Sequence, residues 1–394
     1  WGRWALTPGA RIAAAIEVLD AMLAGLPPEK ALTNWGRASR FAGSKDRLAV
    51  RDHVYDAWRC QRSYAALGGS HTGRGMMIGA LRHAGVDPAA LMTGDGYAPQ
   101  PPGPLDQGIP LEELPDPVRY DMPDWLADRL LTDLGHSATE AMTALQSRAP
   151  VFLRVNAYKS DPAGAIAALA RDGIEAVAVP GVPSALEIVV NARKINASAP
   201  YLEGLVELQD ASSQAAVLAL PLHSGDRVLD YCAGGGGKSL AMAAQADLVV
   251  TAHDAEPRRM ADLSARALRG GHRIAQARTE ELERLPSFDL VLVDAPCSGS
   301  GTWRRDPAGK WALSQGRLSD LTALQAEILR QAAGFVRPGG VLGYMTCSIL
   351  AAENDQQIAA FLSAHHAWRE DSQKAWLPGP KGDGFFVATL RAPD

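Results

Sequence analysis

From about Asp226 onward the chain alternates short apolar runs with stretches of helical character, and that alternation leaves few folds open to it. The runs are "RVLDYC", "DLVVTAHD", "RIAQA", "FDLVLVDAP" and "GGVLGYMTC", with "DGFFVATLRA" close to the C-terminus. Each run has the length of a strand, and the segments between them have the length of a helix. Strand and helix in alternation build a parallel sheet covered on both faces, because parallel neighbours need a crossover long enough to hold a helix. The expected fold class is therefore α/β with a doubly wound sheet. Ligands bind such sheets beyond the carboxyl ends of the strands, so the residues that close each run are the first candidates for function.

The first run passes into a glycine-rich turn, "VLDYCAGGGGKSLAMAA". Gly234, Gly235, Gly236 and Gly237 let the backbone approach a ligand closely and open onto a helix start. A phosphate loop needs Gly-x4-Gly-Lys-Ser/Thr, but Cys232 stands where its first glycine belongs. A dinucleotide fingerprint begun at Gly234 needs a third glycine where Ser239 stands. What remains besides a plain tight turn is an S-adenosylmethionine loop, with Asp230 at the strand end. The next run ends in "AHDAEPRRM", and Asp254 there is positioned to bond a ribose hydroxyl pair, as an acid does on that strand of dinucleotide folds.

Two later runs end in thiols. "VDAPCSGSGTW" carries Asp294 and Cys297, and "YMTCS" carries Cys347. If both runs are parallel strands of one sheet, both thiols open into one crevice beside an acid. A single free cysteine is usually a small buried residue; two at matching strand ends point to chemistry. Cys60 and Cys232 complete the set. The four are scattered and lack a CxxC pair, so neither a zinc site nor a disulfide framework is expected, and reduced thiols in a cytoplasmic protein fit. None of the nine histidines falls in a metal or triad pattern, and no metal is expected.

The rest of the chain is organised differently. Residues 9–85 read as helical: "ARIAAAIEVLDAMLAG" closes on Gly25, and "KDRLAVRDHVYDAWRCQRSYAAL" offers Leu48, Val50, Val54 and Trp58 as an apolar face. The proline-rich stretch Gly96 to Pro117 reads as a linker over a surface. A small α+β unit follows, with strands "VFLRVNAYK", "EAVAVP" and "LEIVV" around a helix from Pro162 to Asp172. The net charge of −5 disfavours a generally sticky nucleic-acid binder, but it hides an asymmetry. Residues 1–85 hold twelve Lys/Arg against six Asp/Glu, and residues 86–150 hold three against eleven. A local basic surface around Arg40, Arg47 and Arg51 is thus expected to dock RNA through phosphate contacts. No apolar run approaches the ~18 residues of a membrane span. The chain opens on Trp1 rather than Met, so its native start is expected to differ.

Taken together, "QDASSQ" (209–214), "DYCAGGGGKS" (230–239), "DAPCSGSGTWRRDP" (294–307), "TCS…END" (346–355) and "GDGFFVATLR" (382–391) resemble the RNA cytosine-C5 methyltransferases of the Nop/Sun, RsmB-like family. The blocks stand in the family's order and cover about residues 148–394. The resemblance implies four parts. A helical, NusB-like RNA-binding domain spans 1–95, and a linker with a helix spans 96–147. A small RNA-contacting α+β domain spans 148–205. A Rossmann-like, S-adenosylmethionine-dependent methyltransferase sheet spans 206–394.

The resemblance also implies a mechanism. Carbon 5 of cytosine is a poor nucleophile until a thiolate adds at carbon 6, and an acid near ring nitrogen 3 favours that addition. The Thr-Cys thiol attacks in the RNA enzymes, which assigns attack to Cys347 and assistance in product release to Cys297. Asp294 would hold nitrogen 3 and the exocyclic amine, and Lys238 would lower a thiol pKa. The cofactor S-adenosyl-L-methionine would lie against Asp230, Cys232, Ala233, Gly234–Gly237, Lys238, Asp254 and Asp294. The family's loop reads Cys-Ala-Ala-Pro-Gly-Gly-Lys, and here Gly234-Gly235 replace Ala-Pro. Gln276 stands where an acid usually faces the adenine amine. The implied substrate is ribosomal RNA, free or in a ribosomal subunit. A tRNA substrate and a non-catalytic ribosome-assembly role are the alternatives, and a cytoplasmic monomer is expected.

Overall fold

The computed structural model of the chain describes residues 5–394, which form two compact units. The first unit comprises the chain up to Arg148 together with Trp303–Ala312, and the second comprises Ala149–Thr302 and Leu313–Asp394.

The first unit is helical. Its main helices are Pro8–Leu23, Pro28–Ala38, Ser44–Arg59, Gln61–Gly68 and Gly73–His83, followed by Asp124–Leu134 and Ala138–Gln146. Thr7 and Thr72 start two of them by accepting from the backbone N–H of Ala10 and Gly75, which satisfies donors the first turn leaves open. Ile12, Ala15, Leu19, Val50, Val54, Met76 and Ile78 close the core. Helices 61–68 and 73–83 meet backbone to backbone: a Cβ on Gly79 would lie 1.9 Å from the Tyr64 carbonyl oxygen.

The sequence reading of residues 45–67 as one amphipathic segment needs correction, since the helix breaks at Cys60. Leu48, expected on the apolar face, is exposed. Of the arginines expected to meet RNA, Arg47 donates to the Ala42 and Ser39 carbonyls and Arg51 pairs with Glu29 at 3.1 Å. The segment Trp303–Ala312 buries Trp303, Arg304 and Lys310 in this unit. Lys310 Nζ donates to the Arg59 carbonyl at 3.0 Å, and Arg59 Nε donates to the Arg304 carbonyl at 3.1 Å.

The second unit holds two sheets. The smaller contains β1 (Val151–Val155), β2 (Glu175–Ala178), β3 (Ala185–Val190) and β4 (Val206–Leu208) in the order β2-β3-β1-β4, all antiparallel. The larger contains β5 (Arg227–Asp230), β6 (Val249–Ala252), β7 (Ile274–Gln276), β8 (Phe288–Asp294), β9 (Val336–Thr346), β10 (Arg369–Trp376) and β11 (Phe385–Arg391). Its order is β10-β11-β9-β8-β5-β6-β7. Strands β5 to β9 pair in parallel, while β11 and β10 add antiparallel.

Both faces of the large sheet are covered. Val291, Val293, Leu342 and Tyr344 face Leu329, Ile358 and Phe361. Leu290, Leu292, Val341 and Met345 face Val217, Ala241 and Met242. That alternation, with helices on either side, defines a doubly wound sheet. After β5 the chain winds outward through β6 and β7, then returns to β8 on the other side. The order therefore reverses between β5 and β8, and the crevice at such a reversal is where ligands sit.

Candidate active site

Strand β8 ends in Asp294 and β9 ends in Thr346, so the loops that follow carry Cys297 and Cys347 out of adjacent, parallel strand ends. The two sulfurs are 3.5 Å apart and both side chains are half-buried. One hydrogen bond between them treats the thiols oppositely. It lowers the pKa of Cys347, against burial and the Asp294 charge, with Lys238 helping. The same bond, with burial, drives that of Cys297 well up. Cys347 is thus the sulfur readier to ionise, and Cys297 the one that holds its proton more tightly.

Lys238, the second residue of the helix Gly237–Ala243, reaches across from β5. Its Nζ lies 2.7 Å from Asp294 Oδ2 and 5.0 Å from the centroid of the Phe385 ring. Burial opposes its charge, but Asp294 outweighs that and holds the ammonium above the ordinary lysine pKa. Asp294, Cys297, Cys347 and Lys238 therefore form one cluster at the ends of β5, β8 and β9.

The loops are held by residues that the sequence reading did not assign. Buried Glu353 accepts from Ser298 N at 2.8 Å, Ser298 Oγ at 2.5 Å, Ser348 Oγ at 2.6 Å and Gln325 Nε2 at 3.1 Å. Asn354 accepts from Thr346 Oγ1 at 2.5 Å and donates to the Ser348 carbonyl at 2.9 Å. Gly301 N–H donates to the Cys347 carbonyl at 2.9 Å, tying one thiol loop to the other. The available signal was "END" six residues beyond Cys347: a carboxylate and an amide beside an apolar segment must find partners if buried.

The glycine turn follows β5. Gly234 and Gly236 adopt φ of 51° and 79°, a region open to glycine at little cost. Gly234 N–H donates to Asp254 Oδ2 and Ala233 N–H to the His253 carbonyl, which moors the turn to the end of β6. Asp254 is buried, takes a second backbone N–H from Glu256, and pairs with Arg259 at 3.2 Å. Asp230 is fully buried: its Oδ2 accepts from Ser239 Oγ at 2.6 Å, while its Oδ1 has no partner among the described residues. Burial pushes its pKa up to about 7. Burial also drives the half-buried Cys232 thiol well up, which leaves it unreactive.

Gln276 is exposed at the end of β7, and its amide nitrogen donates to Ser264 Oγ at 3.0 Å, so the amide oxygen is the end left to accept. Cys60 lies in the helical unit, buried, with its thiol on the Gln146 carbonyl. "QDASSQ" serves packing: Asp210 caps the helix Ala211–Leu218, and Gln214 donates to the Leu153 carbonyl of β1.

A doubly wound sheet with a glycine turn after β5 and acids closing β5, β6 and β8 defines the S-adenosylmethionine-dependent methyltransferase fold. The family model described as "16S rRNA methyltransferase RsmB/F" matches residues 217–391, and that described as the RsmF/B-like methyltransferase ferredoxin-like domain matches 122–196. A Klebsiella pneumoniae subsp. pneumoniae protein named ribosomal RNA small subunit methyltransferase B is 37% identical over 291 residues, 69% of this chain and 66% of that protein. A Salmonella newport protein of the same name is 34% identical, over 69% of this chain and 67% of its own length. The match thus spans just under two thirds of the length of the Klebsiella relative. The crystal structure of PH0851 shares the fold, with a TM-score of 0.74 and 24% identity over 98% of this chain and 99% of that one. The chain belongs to the Nop/Sun, RsmB-like family of RNA methyltransferases, whose cofactor is S-adenosyl-L-methionine. No helix among the described residues is long and apolar enough to cross a membrane.

Proposed function

We propose that the protein methylates carbon 5 of a cytosine in ribosomal RNA, through a covalent bond between Cys347 and carbon 6. The observation that carries this reading is the pair of unlike thiols, 3.5 Å apart, beside the Lys238–Asp294 ion pair. The residues present fit the cofactor, since Asp230 keeps a buried carboxylate oxygen without a partner among the described residues at the foot of the glycine turn. Asp230, Ala233–Gly237 and Asp254 would hold it, with Asp254 on the ribose and the oxygen of Gln276 on the adenine amine. When bound, S-adenosyl-L-methionine supplies an electrophilic methyl group.

The side chains do the rest. Lys238 and the Cys297 thiol favour the thiolate of Cys347, which forms an S–C6 bond and pushes the C5–C6 electrons into the ring, making carbon 5 nucleophilic. Nitrogen 3 takes a proton from water as charge builds up on it and returns that proton to water once carbon 5 carries its methyl group; Asp294, pinned by Lys238, accepts hydrogen bonds from that N–H and from the exocyclic amine. Once the Cys347 sulfur is bonded to carbon, the negative charge that kept the proton on Cys297 is gone. Cys297 can then release its proton to solvent and take the proton from carbon 5. The freed electrons restore the C5–C6 double bond and expel the Cys347 thiolate.

The target base must leave its stack, at a cost of roughly a few kcal/mol that is least in a loop. Bisulfite sequencing of ribosomal RNA from a strain lacking the protein tests the reading. One cytosine loses protection in the deletion strain and regains it on complementation. An unchanged ribosomal map, with a tRNA cytosine losing protection instead, reassigns the substrate.

A further inference from the structure

The second glycine of the cofactor turn poses a question of its own. Gly234 and Gly236 need glycine for their positive φ, but Gly235 is not in that region, so its backbone makes no such demand. What a side chain there would meet is a guanidinium: a Cβ on Gly235 would lie 3.3 Å from Arg266 Nη1 and near nothing else. Arg266 Nη1 donates to the Gly235 carbonyl oxygen. Its Nη2 is held 3.0 Å from Oε2 of Glu207, and Glu207 Oε1 in turn takes Arg269. Glu207 is 7% exposed and stands in β4, at the edge of the small sheet. A run of four glycines carries more backbone freedom than any other tetrapeptide, and all of it must be surrendered to hold a ligand in one geometry.

We propose that Arg266, aimed by Glu207, is a positioning residue that clamps Gly235 and sets the cofactor turn, supplying by a hydrogen bond the stiffness that the four-glycine backbone lacks. The ordering occurs before ligand arrives, so that binding does not bear its cost. A planar guanidinium suits the task because one face of its fork meets a carboxylate while another N–H reaches a carbonyl. The edge strand of the small sheet thereby acts on the cofactor turn of the large one. A parallel contact stands at Gly234, where a Cβ would meet Arg259 Nη2 at 3.3 Å. That guanidinium is 56% exposed, however, and pairs with Asp254 rather than with the turn's carbonyls.

The inference rests on S-adenosyl-L-methionine occupying the turn, and its test separates the two ideas. Backbone amide exchange is measured on the unliganded full chain, and cofactor affinity by calorimetry, for the wild type, Arg266→Met, Glu207→Gln and the double variant Arg266→Met/Gly235→Ala. Arg266→Met is expected to speed exchange at Gly234 and Gly236, whose N–H groups are bonded in the turn. It should also weaken cofactor binding about three- to tenfold, the effect of one lost hydrogen bond. Glu207→Gln keeps the shape and shifts both readouts in the same direction by less. Gly235→Ala occupies the space the guanidinium leaves and stiffens the chain, so the double variant recovers part of the lost affinity; general destabilisation would not be reversed this way. Unchanged exchange in both single variants overturns the clamp. So does weakened binding with unchanged exchange, which makes Arg266 a direct ligand contact. A wild type that fails to bind the cofactor sinks the functional reading, while the exchange data still judge the clamp.

Discussion

Glu353 offers the sharpest test of how the two thiol loops are held. Its Oε1 takes two N–H donors, Ser298 N and Gln325 Nε2, and its Oε2 takes two hydroxyls, Ser298 and Ser348. The difference matters, because N–H groups can only donate whereas hydroxyls also accept. In Glu353→Gln the amide oxygen can keep both N–H donors, and the new NH2 can donate to the two hydroxyls after they rotate. Only the charge assistance is lost, a cost of about 1–2 kcal/mol. In Glu353→Ala all four donors lose the buried carboxylate they share, which costs about 3–5 kcal/mol, as for breaking a buried charged network. In a unit of this size about 2–4 °C of melting temperature follows each kcal/mol, so the two variants should be well separated in thermal unfolding. Alkylation of Cys297 and Cys347 in the native state, mapped by mass spectrometry, reports the loops directly. Both should react faster in the alanine variant and near the wild-type rate in the glutamine variant. Equal destabilisation by Gln and Ala, or none by either, would falsify the assignment of Glu353 as the tie between the loops.

Further outcomes follow from the site. The wild-type protein treated with limiting iodoacetamide near neutral pH should be modified at Cys347 before Cys297, Cys232 or Cys60, as their pKa shifts dictate. Lys238→Met should slow that reaction by removing the neighbouring charge, and an unaltered rate would exclude Lys238 from thiol activation. Asp254→Ala loses two backbone N–H bonds as well as the proposed ribose contact, and should weaken cofactor binding by about 1–3 kcal/mol in calorimetry. Unchanged affinity removes Asp254 from that role. The folded protein holds the Asp230 proton up to about pH 7, whereas the unfolded chain releases it near the ordinary 3.8. The cofactor-free protein should therefore lose stability as pH rises between those values and level off above them. Asp230→Asn should flatten that slope in denaturant titrations, and an unaltered profile assigns the pH dependence elsewhere.

The catalytic sheet was legible because its strands are apolar runs bounded by turn residues, and six of its seven strands fall on such runs. β10 was not: seven of its eight residues are exposed, and an edge strand with polar faces has no hydrophobic signature. β4 was hidden by its brevity, three residues just before the "QDASSQ" block. The break at Cys60 was invisible because the apolar spacing continues through it. At the site, the convergence of Cys297 and Cys347 could be read from matching strand ends. Their opposite ionisation could not, since it depends on a 3.5 Å contact between residues fifty positions apart. Glu353 and Arg266 were missed for the same reason: each acts through residues far along the chain, Ser298 and Gln325 for the first, Gly235 and Glu207 for the second. The arginines expected to dock RNA also make contacts that charge counts on a helix do not reveal: Arg47 donates to carbonyls and Arg51 has an acid beside it.

The division of labour between the thiols is tested most directly by incubating each cysteine variant with ribosomal RNA and S-adenosyl-L-methionine and resolving the products by denaturing electrophoresis. Without Cys347 no bond to carbon 6 can form, so Cys347→Ala should give neither methylated RNA nor a retarded protein–RNA band. Without Cys297 the addition and methyl transfer proceed but elimination stalls, so Cys297→Ala should accumulate an adduct that survives denaturation and carries the methyl label. An adduct in the Cys347 variant alone would contradict this, and would hand the attack to Cys297.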